Sequence, residues 1–288
     1  MLIWKFEIYY VTMARILFVG YATIDILHGN HYLGGAAGAM SINATQLGIE
    51  PSLFAPLSNN SLGKKYISAL KKCGVSLDLC DCASPSIPTC EIVDPFGLGS
   101  TRVWKDNGAY AHFTSTMIEQ LSEKMLAEFD YIFLCNAPKE VCQKIATVTT
   151  SRKILYIPGP KTVSIADWVS ADVLEKTLIL FGNEEEEPIL WDAKPFEHGV
   201  DLAVMTAGEK GGSVYQKKDT TLAIEKTPFA ASKIAGVVDT TGAGDTFALG
   251  FAKTWLETKS VSKAISFAKK LTTQNVQTIG AVLPGKEV

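Results

Sequence analysis

Apolar residues recur along the chain in two patterns that follow one another in a regular order. Short apolar runs typical of buried strands alternate with segments in which apolar residues return every three or four positions, as on one helix face. The predicted strands are residues 15–20, 131–135, 153–158, 177–181 and 202–206, followed by a hairpin at 213–226. The predicted helices are residues 36–48, 61–74, 115–129, 138–150, 165–174, 244–258 and 260–277. Strands separated by helices predict an α/β fold with a mostly parallel sheet covered on both faces.

Two regions depart from this order. Residues 84–113 contain short β-type runs punctuated by proline and glycine, which predicts hairpins or an excursion from the main sheet. Near the amino terminus, Trp4, Phe6, Ile8 and Tyr10 alternate with more polar residues, as in a half-buried strand. Ser115 is the predicted N-cap of the helix that follows the first region.

Composition limits the functions that the chain can have. Its 288 residues and 47% apolar content favour one domain, and the formal net charge of -3 disfavours nucleic acid as a partner. No apolar run reaches the roughly 20 residues of a membrane span, and no secretory leader is recognisable, so we expect a cytoplasmic protein without a membrane partner. The six cysteines lack the paired spacing of structural zinc sites, which favours reduced thiols.

The segment DTTGAGD at 239–245 carries the clearest chemistry. It lies at the start of a predicted helix, where free backbone N–H groups and the helix dipole favour an anion. Gly242, Ala243 and Gly244 would let a phosphate approach the backbone closely, and Asp245 would stand beside it. An acid at an anion site is explained if it must receive a proton there. The alternative is an aspartate that only caps its own helix in a glycine turn.

The ordinary acidity of aspartate limits what Asp245 could do. A free aspartate has a pKa of about 4, far below that of an alcohol. It can orient a hydroxyl and take its proton late in a loose phosphoryl-transfer transition state, but it cannot remove the proton early. Most of the rate enhancement would then come from positioning and from charge stabilisation by the 242–244 backbone together with magnesium.

The segment DTTGAGDTFALGF resembles the C-terminal signature of the ribokinase/PfkB family of carbohydrate and nucleoside kinases. Four further segments resemble family motifs and occur in the family's order: GGAAGAMSINATQLG (34–48), FGNEEEE (181–187), VMTAGEKGGSVY (204–215) and NVQTIGAV (275–282). The resemblance implies a ribokinase-like three-layer α/β/α domain over residues 13–288. It also implies a small β-lid built from residues near 1–12, 28–34 and 84–112.

The resemblance also implies roles for individual residues. The catalytic set is Asp245 as base, with Gly242, Ala243 and Gly244 as the anion hole. The nucleotide set is Asn183 and Glu186, which would organise magnesium and phosphates, with Thr206, Gly208 and Gly211. The acceptor set is Asp25, which would bind a substrate hydroxyl, with Gly34 and Gly35, where the substrate would approach the backbone. Asp239 and Thr241 match positions that hold a monovalent cation, such as K⁺, in some members.

The implied activity is transfer of the γ-phosphoryl group of ATP, with Mg²⁺, to a hydroxyl of a sugar or related polyol. Lids in this family often pair between subunits, which implies a homodimer. A nucleoside kinase is an alternative, with Phe96, Trp104 or Tyr110 forming a base pocket. A second alternative is a catalytically weak protein that senses nucleotide or sugar.

The departures from the family pattern concern the acceptor. Ala39 stands where the family usually has an asparagine that contacts a sugar hydroxyl, and Ser41 or Asn43 on the same helix could compensate. Residues 58–60 read Ser-Asn-Asn in place of a glycine and acids, and the strand before residue 160 ends without an acid. Because unpaired substrate hydroxyls are costly, the sequence predicts an intact donor site and an altered acceptor site.

Residues outside the DTTGAGD segment have simpler explanations when each is taken alone. The acidic run 184–187 could be a solvated helix start, residues 208–212 an ordinary hairpin turn, and Asp25 a loop cap.

Overall fold

A computed structural model of the chain describes residues 14–93, 102–106, 108, 113–159, 169–218 and 223–285. The strands are β1 Arg15–Gly20, β2 Thr23–Leu27, β3 Asn30–Gly34, β4 Glu50–Phe54, β5 Pro56–Ser58, β6 Asp81–Ser84, β7 Thr89–Ile92, β8 Arg102–Asp106, β9 Tyr131–Cys135, β10 Ile154–Ile157, β11 Thr177–Asn183, β12 Leu202–Thr206, β13 Gly212–Lys217 and β14 Ile224–Phe229. The helices are α1 Ala36–Gln46, α2 Ser61–Lys72, α3 Ser115–Gln120, α4 Glu123–Leu126, α5 Lys139–Val148, α6 Ala171–Glu175, α7 Glu187–Asp192, α8 Ala243–Thr258 and α9 Val261–Val276.

The main sheet confirms the predicted α/β class. Within the described residues it has eight strands in the order β14-β13-β12-β11-β10-β9-β1-β4. All neighbouring pairs from β12 to β4 are parallel, and β13 and β14 add an antiparallel hairpin at one edge. The parallel strands therefore all end at the same edge of the sheet, which is where ligands collect in such folds.

Alternating side chains of the central strands build one core on each face of the sheet. On β1, Ile16 and Phe18 pack with helices α1, α2, α8 and α9, whereas Leu17 and Val19 pack with helices α3 to α7. Successive strand residues point to opposite faces, so one strand contributes to both cores. The result is the expected three-layer arrangement. No helix in the described ranges is long and apolar enough to span a bilayer.

A second, small sheet lies outside the main one. In the described part of the chain its strand order is β3-β2-β7-β8, and the chain enters it after β1 and leaves it into α1. Two of the predicted lid segments, 28–34 and 84–112, contribute strands to it, and β2 (Thr23–Leu27) was not predicted. Residues 1–12, the third predicted segment, lie outside the described residues. The function of the small sheet as a lid stays a prediction.

The predicted helix at 115–129 is wrong in two respects. It is split into α3 and α4, because Leu121 is buried in an extended conformation and Ser122 starts a new helix by accepting from Met125 N–H at 3.3 Å. The N-cap of α3 is Thr114, whose hydroxyl accepts from Met117 N–H at 3.2 Å; Ser115 is the first helical residue. Of the helix predicted at 165–174, residues 165–168 lie outside the described residues.

Candidate active site

The DTTGAGD segment forms a tight turn that opens helix α8. Gly242 is the N-cap residue, in the left-handed region at φ 75°, and a Cβ atom there would lie 2.7 Å from the Cβ of Ala281. Gly244 differs, because a Cβ atom there would meet no atom within 4 Å outside its own turn of the helix. The turn thus requires glycine at 242 for its conformation, and it leaves open space beside Gly244. A 16-residue helix with an uncovered first turn can bind an anion through its backbone N–H groups.

Asp239 fastens this turn to the C-terminal part of the chain. Its side chain is buried; one oxygen accepts from Thr241 N–H at 2.9 Å and the Thr241 hydroxyl at 2.7 Å, and the other accepts from Gly280 N–H at 2.7 Å. These three donors compensate the buried charge without a cation. The role predicted for Asp239 and Thr241 in holding a monovalent cation therefore stays a prediction.

A cleft at the carboxyl edge of the main sheet separates the α8 turn from the small sheet; we call it the central cleft. Its volume is about 530 Å³, counting its open mouth. It is lined by Tyr21, Thr23, Asp25, Gly35, Ala36, Cys90, Trp104, Cys135, Asn136, Thr241, Gly242, Asp245 and Ala281. Asp25 and Asp245 both line the cleft, although they are 220 positions apart in the sequence. Asp25 is on strand β2 and Asp245 is on helix α8. Two carboxylates at one cleft can accept hydrogen bonds from a hydroxyl compound.

Asp25 is a buried acid on strand β2, so it is not the loop cap that its sequence position allowed. Its Oδ1 accepts from the Thr23 hydroxyl at 3.0 Å. Gly34, on the neighbouring strand β3, lies so close that a Cβ atom at that position would be 2.2 Å from Oδ2. Gly35 follows with φ 77°, and a Cβ atom there would be 2.5 Å from the Tyr21 carbonyl. The glycine pair thus permits a close approach between the chain and the acid.

Asn136 is a lining residue that the sequence did not reveal. It follows the central strand β9 and adopts φ 54°, in the left-handed region that non-glycine residues rarely use. Its buried Oδ1 atom has no hydrogen-bond partner among the described residues. Asn136 thus places a carboxamide with an unused acceptor in the lining of the cleft. The available sequence signal was its place at the carboxyl end of a central strand.

The residues predicted for the nucleotide lie at the ends of β11 and β12. Asn183 Oδ1 accepts from the N–H groups of Glu185 and Glu186, each at 2.9 Å, and Glu186 Oε2 accepts from Asn183 N–H at 3.0 Å. This reciprocal pairing resembles a capping box and explains why the two side chains are spaced by three. The Thr206 hydroxyl donates to the Gly182 carbonyl at 3.3 Å, which joins β12 to the same turn.

The glycine turn after β12 is connected to helix α8. Gly208 and Gly211 have φ 54° and 98°, and a Cβ atom at Gly211 would be 2.0 Å from the Phe229 carbonyl. The Phe229 ring stacks on Phe247 of α8, with 5.3 Å between ring centroids. Lys210 pairs with Glu184 at 3.0 Å, and both side chains are exposed. The turn therefore belongs to the same structural unit as the α8 anion site.

The acidic run also differs from a plain solvated helix start. Glu187 Oε1 accepts from the Tyr215 hydroxyl at 2.5 Å and from the Trp191 ring N–H at 3.1 Å. Burial of the hydroxyl, followed by its contact with Glu187, raises the pKa of Tyr215. Glu187 therefore holds α7 against β13, and Glu186 folds back on Asn183.

The side chains of Asn183 and Glu186 suit a hydrated magnesium ion. Among the described residues, no group of three or more His, Cys, Asp or Glu side chains could hold a metal ion. Mg²⁺ keeps several waters and usually binds one or two carboxylates together with substrate phosphates. Glu186, with Asn183 beside it, fits that mode of binding. The six cysteines, all among the described residues, form no disulfide, and burial raises the pKa of Cys135 well above its usual value, with a smaller contribution from Asp245.

The polar side chains at and near the departures from the family pattern form hydrogen bonds within the protein. Asn60 caps α2 by accepting from Gly63 N–H at 2.7 Å, and Asn59 donates to the Cys82 carbonyl at 3.1 Å. Ser41 donates to the Gly38 carbonyl at 2.7 Å. Asn43 donates to the Ala281 carbonyl at 3.0 Å and accepts from Leu283 N–H at 2.8 Å. These contacts favour a structural role for Asn43 over the predicted substrate contact.

An acid beside an open helix N-terminus, and a second acid in the same cleft at the carboxyl edge of a mostly parallel sheet, are compatible with transfer of an anionic group to a hydroxyl. The model of the pfkB family carbohydrate kinases matches residues 3–287. The chain belongs to this family, and it is a phosphotransferase with an alcohol group as acceptor.

Three relatives represent the similarity. Ribokinase of Haemophilus influenzae is 23% identical over 274 residues, which cover 89% of this chain and 86% of the relative. The structure of Methanocaldococcus jannaschii nucleoside kinase has a TM-score of 0.76 and 19% identity, covering 94% and 95% of the two chains. Arabidopsis thaliana ribokinase, solved with ribose and ATP, has a TM-score of 0.74 and 22% identity, covering 96% and 97%. The ribokinase-like fold is confirmed, and the chain is a sugar or nucleoside kinase of the ribokinase family.

Proposed function

We propose that this protein transfers the γ-phosphoryl group of ATP to a hydroxyl of a sugar or related polyol held in the central cleft. The observation that carries the proposal is the pair of acids, Asp25 on the small sheet and Asp245 at the open start of α8, which line one cleft. Asp25 would bind the acceptor, and Asp245 would receive its proton. The Asn136 carboxamide, whose Oδ1 has no partner in the described residues, adds a hydrogen-bonding group suited to a polyol.

The chemistry follows from the position of Asp245. The acceptor hydroxyl donates a hydrogen bond to the Asp245 carboxylate. The oxygen–phosphorus bond forms as the bond from the γ-phosphorus to the ADP oxygen breaks, and the proton passes to Asp245 late in this step. The backbone N–H groups of the 242–244 turn stabilise the charge on the transferred group. Glu186 and Asn183 would hold Mg²⁺ through water; when bound, this ion neutralises charge on the donor phosphates.

The nucleoside end of the donor would lie against the loop before Asp239 and the end of α9. Val237, Val238 and Ile279 are exposed apolar side chains there, with exposed fractions of 39%, 39% and 43%. The Val238 N–H donates to the Val276 carbonyl at 2.8 Å, which ties the two segments together. Apolar side chains at the surface suit an adenine ring. Thr206, Gly208 and Gly211 would line the same site on the side of β12.

The small sheet would act as a lid that keeps water away from the phosphoryl group. Trp104 of this sheet lines the cleft and is 39% exposed, so closure over an acceptor would bury it further. The proposal also includes the pairing of two lids in a homodimer and a K⁺ ion held by Asp239 and Thr241.

A nucleoside acceptor is the second candidate. Tyr21 and Trp104 both line the central cleft and could stack on a base. Phe96 and Tyr110, the other aromatic residues considered for this role, lie outside the described residues. A sensor without turnover is the third candidate, and the presence of Asp245 as a proton acceptor in the cleft counts against it.

The proposal is tested by a panel of acceptors with ATP and Mg²⁺. Pentoses, hexoses, inositols and nucleosides are supplied one at a time, ADP formation is followed, and the product is identified by mass spectrometry. We expect one polyol class to give a phosphorylated product with the highest kcat/KM. Preferential turnover of nucleosides would favour the second candidate. Nucleotide binding without turnover of any acceptor would favour the sensor.

A further inference from the structure

Tyr66 is a fully buried tyrosine on helix α2, in the main domain and behind the central cleft. Its hydroxyl donates to the Gly34 carbonyl at 2.6 Å. Gly34 is the last residue of β3, the strand through which the chain leaves the small sheet and enters α1. One hydrogen bond therefore links the main domain to the point where the small sheet ends.

Gly34 in turn contacts the acid of the cleft. It pairs with Thr23 in the β2–β3 register, and the Thr23 hydroxyl donates to Asp25 Oδ1 at 3.0 Å. A Cβ atom at Gly34 would lie 2.2–2.4 Å from all three atoms of the Asp25 carboxyl group. The Asp25 carboxylate thus rests on the backbone of Gly34, so a shift of Gly34 moves or frees the acid.

The surroundings of Tyr66 are shaped to accommodate its hydroxyl. A Cβ atom at Gly38 would lie 2.3 Å from the Tyr66 oxygen, so an alanine would displace it. Burial, and then the nearby charge of Asp25, raise the pKa of Tyr66 well above its usual value. The hydroxyl consequently stays protonated and remains a donor to Gly34.

We propose that Tyr66 is a positioning residue that fixes the acceptor-binding carboxylate of Asp25 through the Gly34 carbonyl. The inference rests on the proposed function, because it assigns Asp25 to the acceptor. Tyr66 touches neither substrate: it holds the peptide against which Asp25 rests. The acid then presents one orientation to the acceptor.

The test is the substitution Tyr66→Phe, which removes one oxygen and keeps the ring. We expect kcat/KM for the acceptor to fall roughly two- to tenfold, the effect of one hydrogen bond, through a higher KM for the acceptor. The KM for ATP should not change, since no described contact of Tyr66 involves the α8 turn.

The matched control is Tyr156→Phe. This substitution removes the hydroxyl of another buried tyrosine, on strand β10, which contacts Cys142 of helix α5. This control should reduce stability about as much as Tyr66→Phe does, and it should leave the KM values for ATP and for the acceptor unchanged.

A double-mutant cycle with Asp25→Asn separates positioning from general destabilisation. Acceptor binding is measured by calorimetry, so the cycle does not depend on turnover. If Tyr66 acts through Asp25, Tyr66→Phe weakens binding in the natural protein and has little further effect once Asp25 is replaced. Additive losses, or equal increases in the KM for ATP and acceptor, would overturn the inference.

The same measurements keep the two proposals apart. If an acceptor is phosphorylated by the natural protein and Tyr66→Phe leaves its KM unchanged, the inference fails and the proposed function stands. If compounds bind without being phosphorylated, the calorimetric cycle still decides the role of Tyr66. Failure of every panel compound to bind would contradict both.

Discussion

The two sides of the active site are built in different ways. The donor side, which we define as segments 183–186, 206–211 and 239–245, consists of short turns whose side chains bond mainly to their own backbone. Asn183 with Glu186 and Asp239 with Thr241 are both pairs of this kind. The acceptor side, defined as the lining residues of the small sheet, the start of α1 and Asn136, draws its groups from distant parts of the chain.

The proposed function explains this difference by what each side would have to recognise. Phosphate is common to all nucleotide donors, and backbone N–H groups at a helix start bind it whatever the surrounding side chains. Acceptors differ in their hydroxyls, so the acceptor side must be assembled from side chains that can change. The departure inferred from the family resemblance, Ala39, is on helix α1, whose first residues belong to the acceptor side.

The largest effect is expected at Asp245, where the two sides meet. Asp245→Asn keeps the size of the side chain and removes the proton acceptor, so kcat should fall roughly 10²- to 10⁴-fold. ATP affinity, measured by calorimetry, should be retained, because the 242–244 backbone is unchanged. Near-normal turnover of the variant would remove Asp245 from the mechanism.

Asp201→Asn is the matched control for Asp245→Asn. Asp201 is an exposed acid at the opposite edge of the sheet and pairs with Arg152 at 2.9 Å. Exposed ion pairs contribute about 0–1 kcal/mol, so turnover should be normal and the melting temperature nearly so.

The donor side was readable from the sequence because its chemistry is local. The spacing of Asp239, Gly242 and Asp245 specifies a turn and a helix start, and the structure has both. The strand pattern likewise predicted the strands of the main sheet except β4, since central strands are apolar on both faces. What failed was the continuous helix at 115–129, where the capping by Ser122 prevailed over a periodic apolar pattern.

The acceptor side was only partly readable because its contacts span the chain. Asp25 was found by resemblance, but its partner Gly34 and the buried Tyr66 meet only through the small sheet and α2. Asn136 carries no motif; its left-handed backbone and unpaired oxygen appear only in three dimensions. The prediction that Asn43 contacts the substrate was based on helical spacing, which gives the face of a residue and not its partner.

The two glycines of the α8 turn offer the next test of the donor side. Gly242→Ala forces a left-handed alanine against Ala281, which should cost about 1–3 kcal/mol of unfolding free energy and lower kcat/KM for ATP. Gly244→Ala places a methyl group in open space within the helix, so stability should be equal or higher by up to about 1 kcal/mol. If that space receives a phosphate, kcat/KM for ATP should still fall roughly tenfold or more.

The pair separates folding from binding at positions two residues apart. Thermal unfolding reports stability, and kinetics at varied ATP report the anion site, with the acceptor KM as an internal reference. Normal ATP kinetics in Gly244→Ala would show that the phosphate does not lie beside this residue. An equal loss of stability in both variants would contradict the open space found there.

The smallest effect on turnover is expected at Asn43, which links the two sides. It lies on α1, whose first residues line the central cleft, yet its amide bonds to Ala281 and Leu283 behind Gly242. Asn43→Ala leaves a buried carbonyl and a buried N–H unpaired and should lower the unfolding free energy by about 1–3 kcal/mol. Gln46→Ala, which removes one longer contact from the same helix to the Leu283 carbonyl at 3.2 Å, is the control and should cost less.

Because Ala281 supports the α8 turn, the KM for ATP should rise a few-fold in Asn43→Ala while the acceptor KM changes little. A rise in the acceptor KM alone would restore Asn43 to the acceptor side and show that the boundary between the two sides runs through α1.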